Sequence, residues 1–350
     1  MPEPVAKPAP PRPTAVTLRE VAKLAGVSAM TVSNVINGRF QMMSAGTRRD
    51  VEAAIRELNY RPHSNARSLR LSKRLSVGMM IVDPSPTFIA DPFTTYVIAG
   101  VGNYLSKRGY ALEIQGVTPD RIEMSTLFRW HQSDCLCLIP SGDLAVRERL
   151  YMRLAELNQP CAIIQDRPPQ PLEDAIVVRQ DDQDGGWQLA RRLLDSGCRR
   201  LVYLREAHAW PAMDNREAGI REAVRTVEGS SLEVVSAASA GFDDATAAIR
   251  RHIDSNGLPD AVLGGNDQMG IAAMVHLTGI GCRVPDEIKV TGFNAFDFRR
   301  YSTPTLTSVS SPAYDLGEAA AVGLLHRLTT GSFSEQEILL PVSVTEGGSA

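Results

Sequence analysis

The sequence predicts a small all-α head followed by a larger α/β body built from repeated strand–helix units. Three observations lead there. Two short amphipathic segments joined by a glycine lie within residues 17–37, the first fifth of the chain is basic and the rest acidic, and apolar runs alternate with helical periodicity from residue 75 onward.

The head comes first. Thr17 and Glu20 form a T-x-x-E capping box at a helix start. Leu18, Val21, Ala22 and Ala25 then recur at i, i+3, i+4, i+7, one apolar face. Gly26 supplies the positive φ of a tight turn, and Ser28 is a good N-cap for the next helix. Val32, Val35 and Ile36 can pack back on the first helix, which leaves Ala29, Met30, Thr31, Ser33 and Asn34 small or polar and mostly outward. An ordinary amphipathic helix hairpin fits the same spacing, but it would usually carry long charged side chains on that face. Ser44, with Met43 before it, starts a third helix whose apolar face is Val51, Ala54, Ile55 and Leu58. That helix ends at Asn59-Tyr60-Arg61-Pro62, and a short basic segment, residues 63–70, follows. The whole has the plan of a DNA-reading helix-turn-helix.

Charge agrees. Residues 1–74 hold 13 Lys and Arg against 5 Asp and Glu, whereas the whole chain holds 37 against 40. A net charge of −3 therefore hides a basic head on an acidic body, so one end only should approach a polyanion. At 350 residues and 43% hydrophobic content the chain has room for the head and one or two larger domains. No apolar run reaches the length of a membrane span. Residues 1–15 are proline-rich without a hydrophobic stretch and read as a disordered tail, not a signal peptide. Cys135, Cys137, Cys161, Cys198 and Cys282 are scattered beside apolar runs, so buried free thiols in a reducing cytoplasm are expected, and no third ligand completes a metal site around Cys135-x-Cys137.

In the body, strands are expected at residues 75–82, 110–115, 136–139, 162–164, 175–178, 201–204, 261–263, 288–291 and 338–344. Helices are expected at 96–108, 145–157, 185–196, 217–227, 245–255, 269–279 and 316–330. Repeated βα units imply parallel sheets covered on both faces, with ligands at the carboxyl ends of the strands.

The stretches TLREVAKLAGVSAMTVSNVING and TRRDVEAAIRELNYRPHSNARSLR resemble the lactose/galactose repressor (LacI/GalR) family of bacterial transcription regulators almost without a gap. The resemblance implies that the second helix enters the major groove of operator DNA with Ala29, Met30 and Asn34 reading bases, while Thr31 and Ser33 mostly touch phosphate. It adds Thr17, Ser28, Asn37, Tyr60, Asn65 and Ala66 to the DNA-binding positions. Residues 65–70 would be a hinge helix whose Leu69 wedges into the minor groove. The family usually has Arg where this chain has Asn34. Arg suits guanine and Asn suits adenine, so the family's operator sequences do not carry over. Arg39 and Phe40, in a slightly long turn, are a further departure.

Over the body the resemblance is looser and implies the type I periplasmic-binding-protein fold, two doubly wound subdomains with a ligand cleft between. The domains expected are a tail at 1–15, the DNA-binding head at 16–62, the hinge helix and linker at 63–74, and an effector-binding and dimerisation body at 75–350. The body divides into an N-subdomain of about 75–178 and 310–338 and a C-subdomain of about 179–309 and 339–350. Carried over residue by residue, Asp91, Phe93, Arg216, Asn266, Asp267 and Asn294 would line the cleft, Asp166 or Gln165 would contribute from the preceding strand, and Phe242 would stack on the ligand. Trp210 is expected as a loop anchor, and Asp267 could merely cap a helix. Charged pairs, amides and an aromatic suit the hydroxyls and C–H face of a sugar. Asn294 stands where the family commonly has an Asp, which removes a negative charge and makes a sugar acid less disfavoured. No leucine heptad follows the last strand, so a homodimer without a tetramerising tail is expected.

A cytoplasmic, ligand-controlled repressor on a pseudo-palindromic operator explains both ends of the chain. A free solute-binding protein explains the body but not the basic head, and a corepressor-dependent repressor answering to a purine-like ligand is the remaining alternative. An enzyme has the least support: there is no glycine-rich phosphate loop, nucleophile elbow or metal cluster. No cofactor or membrane partner is expected.

Overall fold

The computed structural model describes residues 16–36, 38–60 and 74–350, and these divide into two units with the boundary between Arg74 and Leu75. Asn37, Asn65, Ala66 and Leu69 lie outside the described residues, as do the expected tail and hinge.

In the head, α1 (Leu18–Leu24), α2 (Ala29–Ile36) and α3 (Ala45–Glu57) enclose a core of Val21, Ala22, Val32, Val35, Val51, Ala54 and Tyr60. The capping box forms as its sequence predicts. The Thr17 N–H donates to Glu20 Oε2 at 2.6 Å, and the Glu20 N–H donates to Thr17 Oγ1 at 3.3 Å. Gly26 takes φ +63°, and Ser28 Oγ accepts from the Thr31 N–H at 3.1 Å. The long turn folds as a single 3₁₀ turn, Phe40–Met42, with the Arg48 guanidinium 3.9 Å above the Phe40 ring.

The body contains two six-stranded sheets. The first has the order β11-β5-β4-β3-β1-β2, with β1 (Ser76–Val82), β2 (Ala111–Val117), β3 (Cys135–Ile139), β4 (Cys161–Ile164), β5 (Ala175–Gln180) and β11 (Glu337–Leu340), all parallel. The second has the order β12-β10-β9-β8-β6-β7, with β6 (Arg200–Glu206), β7 (Ser231–Ala237), β8 (Ala261–Gly264), β9 (Lys289–Asn294), β10 (Thr307–Ser310) and β12 (Ser343–Thr345), parallel except for β10 with β12. Helices cover both: α4 (Pro92–Ser106), the short α5 (Thr126–Arg129), α6 (Leu144–Glu156), α7 (Asp182–Asp195), α8 (Pro211–Arg225), α9 (Phe242–Asn256), α10 (Asp267–Gly279) and α11 (Ala313–Thr330). The chain passes between the sheets three times, after Gln180, after Ser310 and after Leu340.

Several elements differ from the sequence reading for identifiable reasons. The run expected as one strand at 338–344 is two strands in different sheets, because Pro341 has no N–H to continue a ladder and the chain crosses there. Strands β7 and β10 were not expected. β7 lies on a sheet edge and is only half-buried, so its apolar pattern is weak. Helix α8 starts at Pro211, six residues before the expected start, because proline's fixed φ suits a first helical position. Cys135, Cys137, Cys161 and Cys198 are buried thiols as expected, whereas Cys282 is only half-buried.

Each subdomain is held by one close helix crossing on glycine. In the first, α4 meets α11: a Cβ at Gly100 would lie 2.0 Å from Tyr314 O, and one at Gly317 would lie 2.1 Å from Val97 O. In the second, α7 meets α8: a Cβ at Gly186 would lie 2.2 Å from Arg216 O, and one at Gly219 would lie 1.8 Å from Gln183 O. Backbone cannot yield as a side-chain tip can, so one methyl must force the helices apart. Gly317→Ala and Gly219→Ala are each expected to destabilise the body by about 1–3 kcal/mol, read as a lowered melting midpoint, whereas Gly102→Ala, inside the same α4 with Leu112 Cδ2 at 3.7 Å, should leave the midpoint unlowered or raise it slightly.

Candidate functional site

Two sites emerge, one on each unit. On the head, α2 buries Val32 and Val35 and turns the opposite face outward. Met30 is 65% exposed, and Ala29, Thr31, Ser33 and Asn34 are partly exposed beside it. The hydroxyls of Ser28 and Thr31 lie 2.9 Å apart, and Thr17 Oγ1 donates to Glu20 Oε2 at 2.8 Å, so three of the expected DNA-binding side chains also hold the helix starts. Tyr60, also expected at the DNA, packs into the head core at 8% exposure, and burial raises its hydroxyl's pKa.

In the body a cavity of about 320 Å³ opens between the carboxyl ends of the two sheets. Asp83, Ile139 and Gln165 reach it from the ends of β1, β3 and β4. Glu206, Gly241, Asn266 and Asn294 reach it from the ends of β6, β7, β8 and β9. Phe88, Phe93 and Trp210 add rings. This is where doubly wound sheets bind ligands. Three non-glycine residues beside it, Gln165, Asn294 and Ala295, hold φ of +65°, +106° and +52°, the local strain that ligand clamps concentrate.

Five of the eight expected cleft residues line the cavity: Asp91, Phe93, Arg216, Asn266 and Asn294. Three do not. Asp166 is buried and clamped by Arg147 Nη1, 2.7 Å from both carboxylate oxygens, and by the Tyr151 hydroxyl, so Gln165 is the residue that reaches the cleft. Phe242 is half exposed at the first turn of α9, because Gly241 takes the N-cap and the turn carries the ring past the cavity. Asp267 is buried behind the lining, accepting from Ser308 Oγ and from the Phe296 N–H at 3.0 Å, while Asn266 is the residue that caps α10. Trp210 is also corrected: it lines the cavity rather than merely anchoring a loop. The reading missed Asp83 and Glu206. Their signal was position, one just past β1 and one at the end of β6.

Arg216 does more than face a ligand. It is 4% exposed, donates from Nε to Asp182 Oδ1 at 2.8 Å and from Nη1 to Gly265 O at 2.5 Å, and lies 3.7 Å above the Phe293 ring. Asp182 also accepts from Gln165 Nε2 at 3.0 Å and Gln180 Nε2 at 2.8 Å. Burial raises the Asp182 carboxyl, and Arg216 and the two amides oppose that shift.

The carboxylates of Asp83, Asp91 and Glu206 share the cavity. Asp83 is raised by burial and by Asp91, against the Ser85 N–H bond. Glu206 is pushed up to about 7, by burial first and then by Asp83 and Asp91, against the Trp210 indole N–H and Arg205. The folded state therefore keeps a proton on Glu206 that the unfolded chain, titrating near 4.5, has lost. Stability falls as pH rises from there towards 7, and the full penalty stands above it. Glu206→Gln should raise the melting midpoint at pH 8 and leave it unchanged at pH 4.5; a gain of equal size at both would show that burial of the charge is not the cause.

The comparisons with known proteins follow the same division. A family model described as bacterial regulatory proteins, lacI family, matches residues 17–63, and one described as periplasmic binding protein-like domain matches residues 190–350. The HTH-type transcriptional regulator CelR of Thermobifida fusca is 33% identical over 319 residues, 89% of this chain and 92% of that protein. The ribose operon repressor of Escherichia coli (strain K12) is 30% identical over 352 aligned positions, 95% of this chain and 99% of that protein. The structure of a transcriptional regulator CelR–cellobiose complex superposes with a TM-score of 0.70 at 28% identity, covering 96% of this chain and all of that one. With an α2 face small and polar, a cleft at the strand ends, and similarity along nearly the full length of such regulators, this chain belongs to the LacI family of bacterial regulatory proteins and is a DNA-binding transcriptional regulator.

Proposed function

We propose that the chain is a cytoplasmic repressor whose hold on operator DNA is set by a carbohydrate in the body's cleft. The observation that carries this is the lining. Carboxylates, the amides of Gln165, Asn266 and Asn294, and the rings of Phe88, Phe93 and Trp210 converge on one cavity fed by both sheets. Clustered hydroxyls need closely spaced acceptors and donors, and the C–H face of a sugar suits an aromatic wall. CelR is solved in complex with cellobiose and the ribose operon repressor is named for a sugar, which supports the same class here. The role is regulatory rather than catalytic. Two protomers would each place α2 in the major groove of a pseudo-palindromic site, with Leu69 of each hinge in the minor groove. Ligand acts only if it binds the open and closed cleft with different affinity.

A gel shift of the full chain on its own promoter DNA, with and without cellobiose, ribose and glucose, tests the proposal. A retarded band that one sugar releases is expected. No retardation of promoter DNA, or retardation indifferent to every sugar, overturns it.

Asn34 sits on the outward face of α2, where its amide can donate to N7 and accept from N6 of adenine, a pairing worth about 1–3 kcal/mol of discrimination. Asn34→Arg should move one symmetric pair of operator positions from A·T towards G·C in binding-site selection from random DNA. Identical consensus sequences from both proteins would assign Asn34 to phosphate instead.

A further inference from the structure

The cavity is unbalanced in charge and in hydrogen bonding. Arg216 is its one basic lining residue, and that charge is already matched by the buried Asp182. The other basic groups close by are also paired: Arg205 with Asp214 at 2.7 Å and Glu217 at 2.9 Å, and Arg147 with Asp166 at 2.7 Å. Asp83, Asp91 and Glu206 form no direct ion pair among the described residues, and Arg205, committed to Asp214 and Glu217, only weakly opposes the upward shift of Glu206. The protein engages one oxygen of each. Asp83 Oδ1 accepts from the Ser85 N–H at 2.7 Å, Asp91 Oδ2 from the Thr94 N–H at 2.9 Å and Glu206 Oε2 from the Trp210 indole N–H at 3.4 Å.

An independent observation points the same way. Asn294 lines the cavity at 8% exposure, and its Oδ1 has no hydrogen-bond partner among the described residues, so a small turn of the side chain is what would offer this unmatched acceptor to a ligand. A buried acceptor left unmatched costs free energy until a donor arrives. What the site lacks is therefore positive charge: an anion would meet Asp83, Asp91 and a Glu206 that already keeps its proton up to about 7, whereas a cation would favour the ionised form of Glu206.

Resting on the carbohydrate reading of this cleft, we propose that its preferred ligand is an amine-bearing sugar, bound as the ammonium ion between Asp83, Asp91 and Glu206. An ammonium brings three donors and a full charge to acceptors that a hydroxyl supplies with one donor only. The acidic lining also turns away sugar acids, the class that the Asn294 exchange alone would have left open.

Calorimetric titration of the full-length protein at pH 7 tests this with matched triplets: glucosamine, glucose and gluconate, with the corresponding galactose and mannose sets, and with ribose and cellobiose as neutral controls. On the scaffold that fits, the amine should bind about tenfold or more tighter than the neutral sugar, and the acid should not bind. Glu206→Gln and Asp83→Asn, made separately, should each shrink that amine-to-neutral ratio, whereas a merely structural role would weaken both sugars alike. A neutral sugar that binds as tightly as its amine, or an acid that binds at all, overturns the amine preference and leaves the carbohydrate reading standing. Binding by none of the sugars overturns the carbohydrate reading and the preference with it.

Discussion

The buried Asp182–Arg216 pair is the constraint on which the body is arranged. Asp182 opens α7 just after the first crossing between sheets, and it gathers groups from both sides of that crossing. Gln165 and Gln180 come from the first sheet, Arg216 from α8 over the second, and Gly265 accepts from Arg216 at the end of β8. Ser311, at the second crossing, donates to Gln180 Oε1 at 2.5 Å. A charge in so buried a place is tolerable only when fully paired and hydrogen-bonded, and removing one partner of such a pair costs about 3–5 kcal/mol. Asp182's bonds to Gln165 and Gln180 thus tie the second subdomain to the first sheet beside the cleft, and Arg216 holds Asp182 in place to make them. Loss of Arg216 would loosen that junction as well as any ligand contact.

Around that junction the subdomains touch through further side-chain contacts. Tyr96 of α4 stacks on Phe296 beyond β9, with ring centroids 4.8 Å apart and planes within 2°. His208 Nε2 lies 2.8 Å from Ser141 Oγ, which in turn donates to Val82 O at 2.5 Å. Phe296 is buried among the core residues of the first sheet, so that contact belongs to the fold, whereas His208 and Ser141 join two polar side chains across the cleft's edge. A cleft between two sheets joined by three crossings is an architecture that can take two states. A ligand that matches the acidic lining in one of them biases the balance by its difference in affinity.

The glycine crossings and the cleft obey different demands. Gly100, Gly186, Gly219 and Gly317 serve packing, since their backbones approach to distances a Cβ forbids. The strained residues Gln165, Asn294 and Ala295 lie at strand ends by the cavity, where strain is tolerated because neighbouring sheet hydrogen bonds hold the chain.

Local chemistry was legible in the sequence. The Thr17–Glu20 box, the Gly26 turn, the Ser44 cap and the alternation of βα units are each fixed by neighbours a few residues away, so the head and most body elements follow from the chain alone. Residue-by-residue likeness also brought Asp91, Phe93, Arg216, Asn266 and Asn294 to the cavity. It failed where a one-residue offset or an early helix start decides direction. Gln165 faces the cleft while Asp166 turns to Arg147 and Tyr151, and Gly241 capping α9 carries Phe242 away. Asp83 and Glu206 lie 123 positions apart in the chain and meet only because two sheets aim their carboxyl ends at each other. The charge of the site is a sum over such distant residues, and so is the pairing that neutralises Arg216. The sequence by itself determined which residues cap, turn and pack locally. Only the tertiary structure decided which charges remain uncompensated in the cleft, because compensation depends on distances between elements that no local pattern encodes.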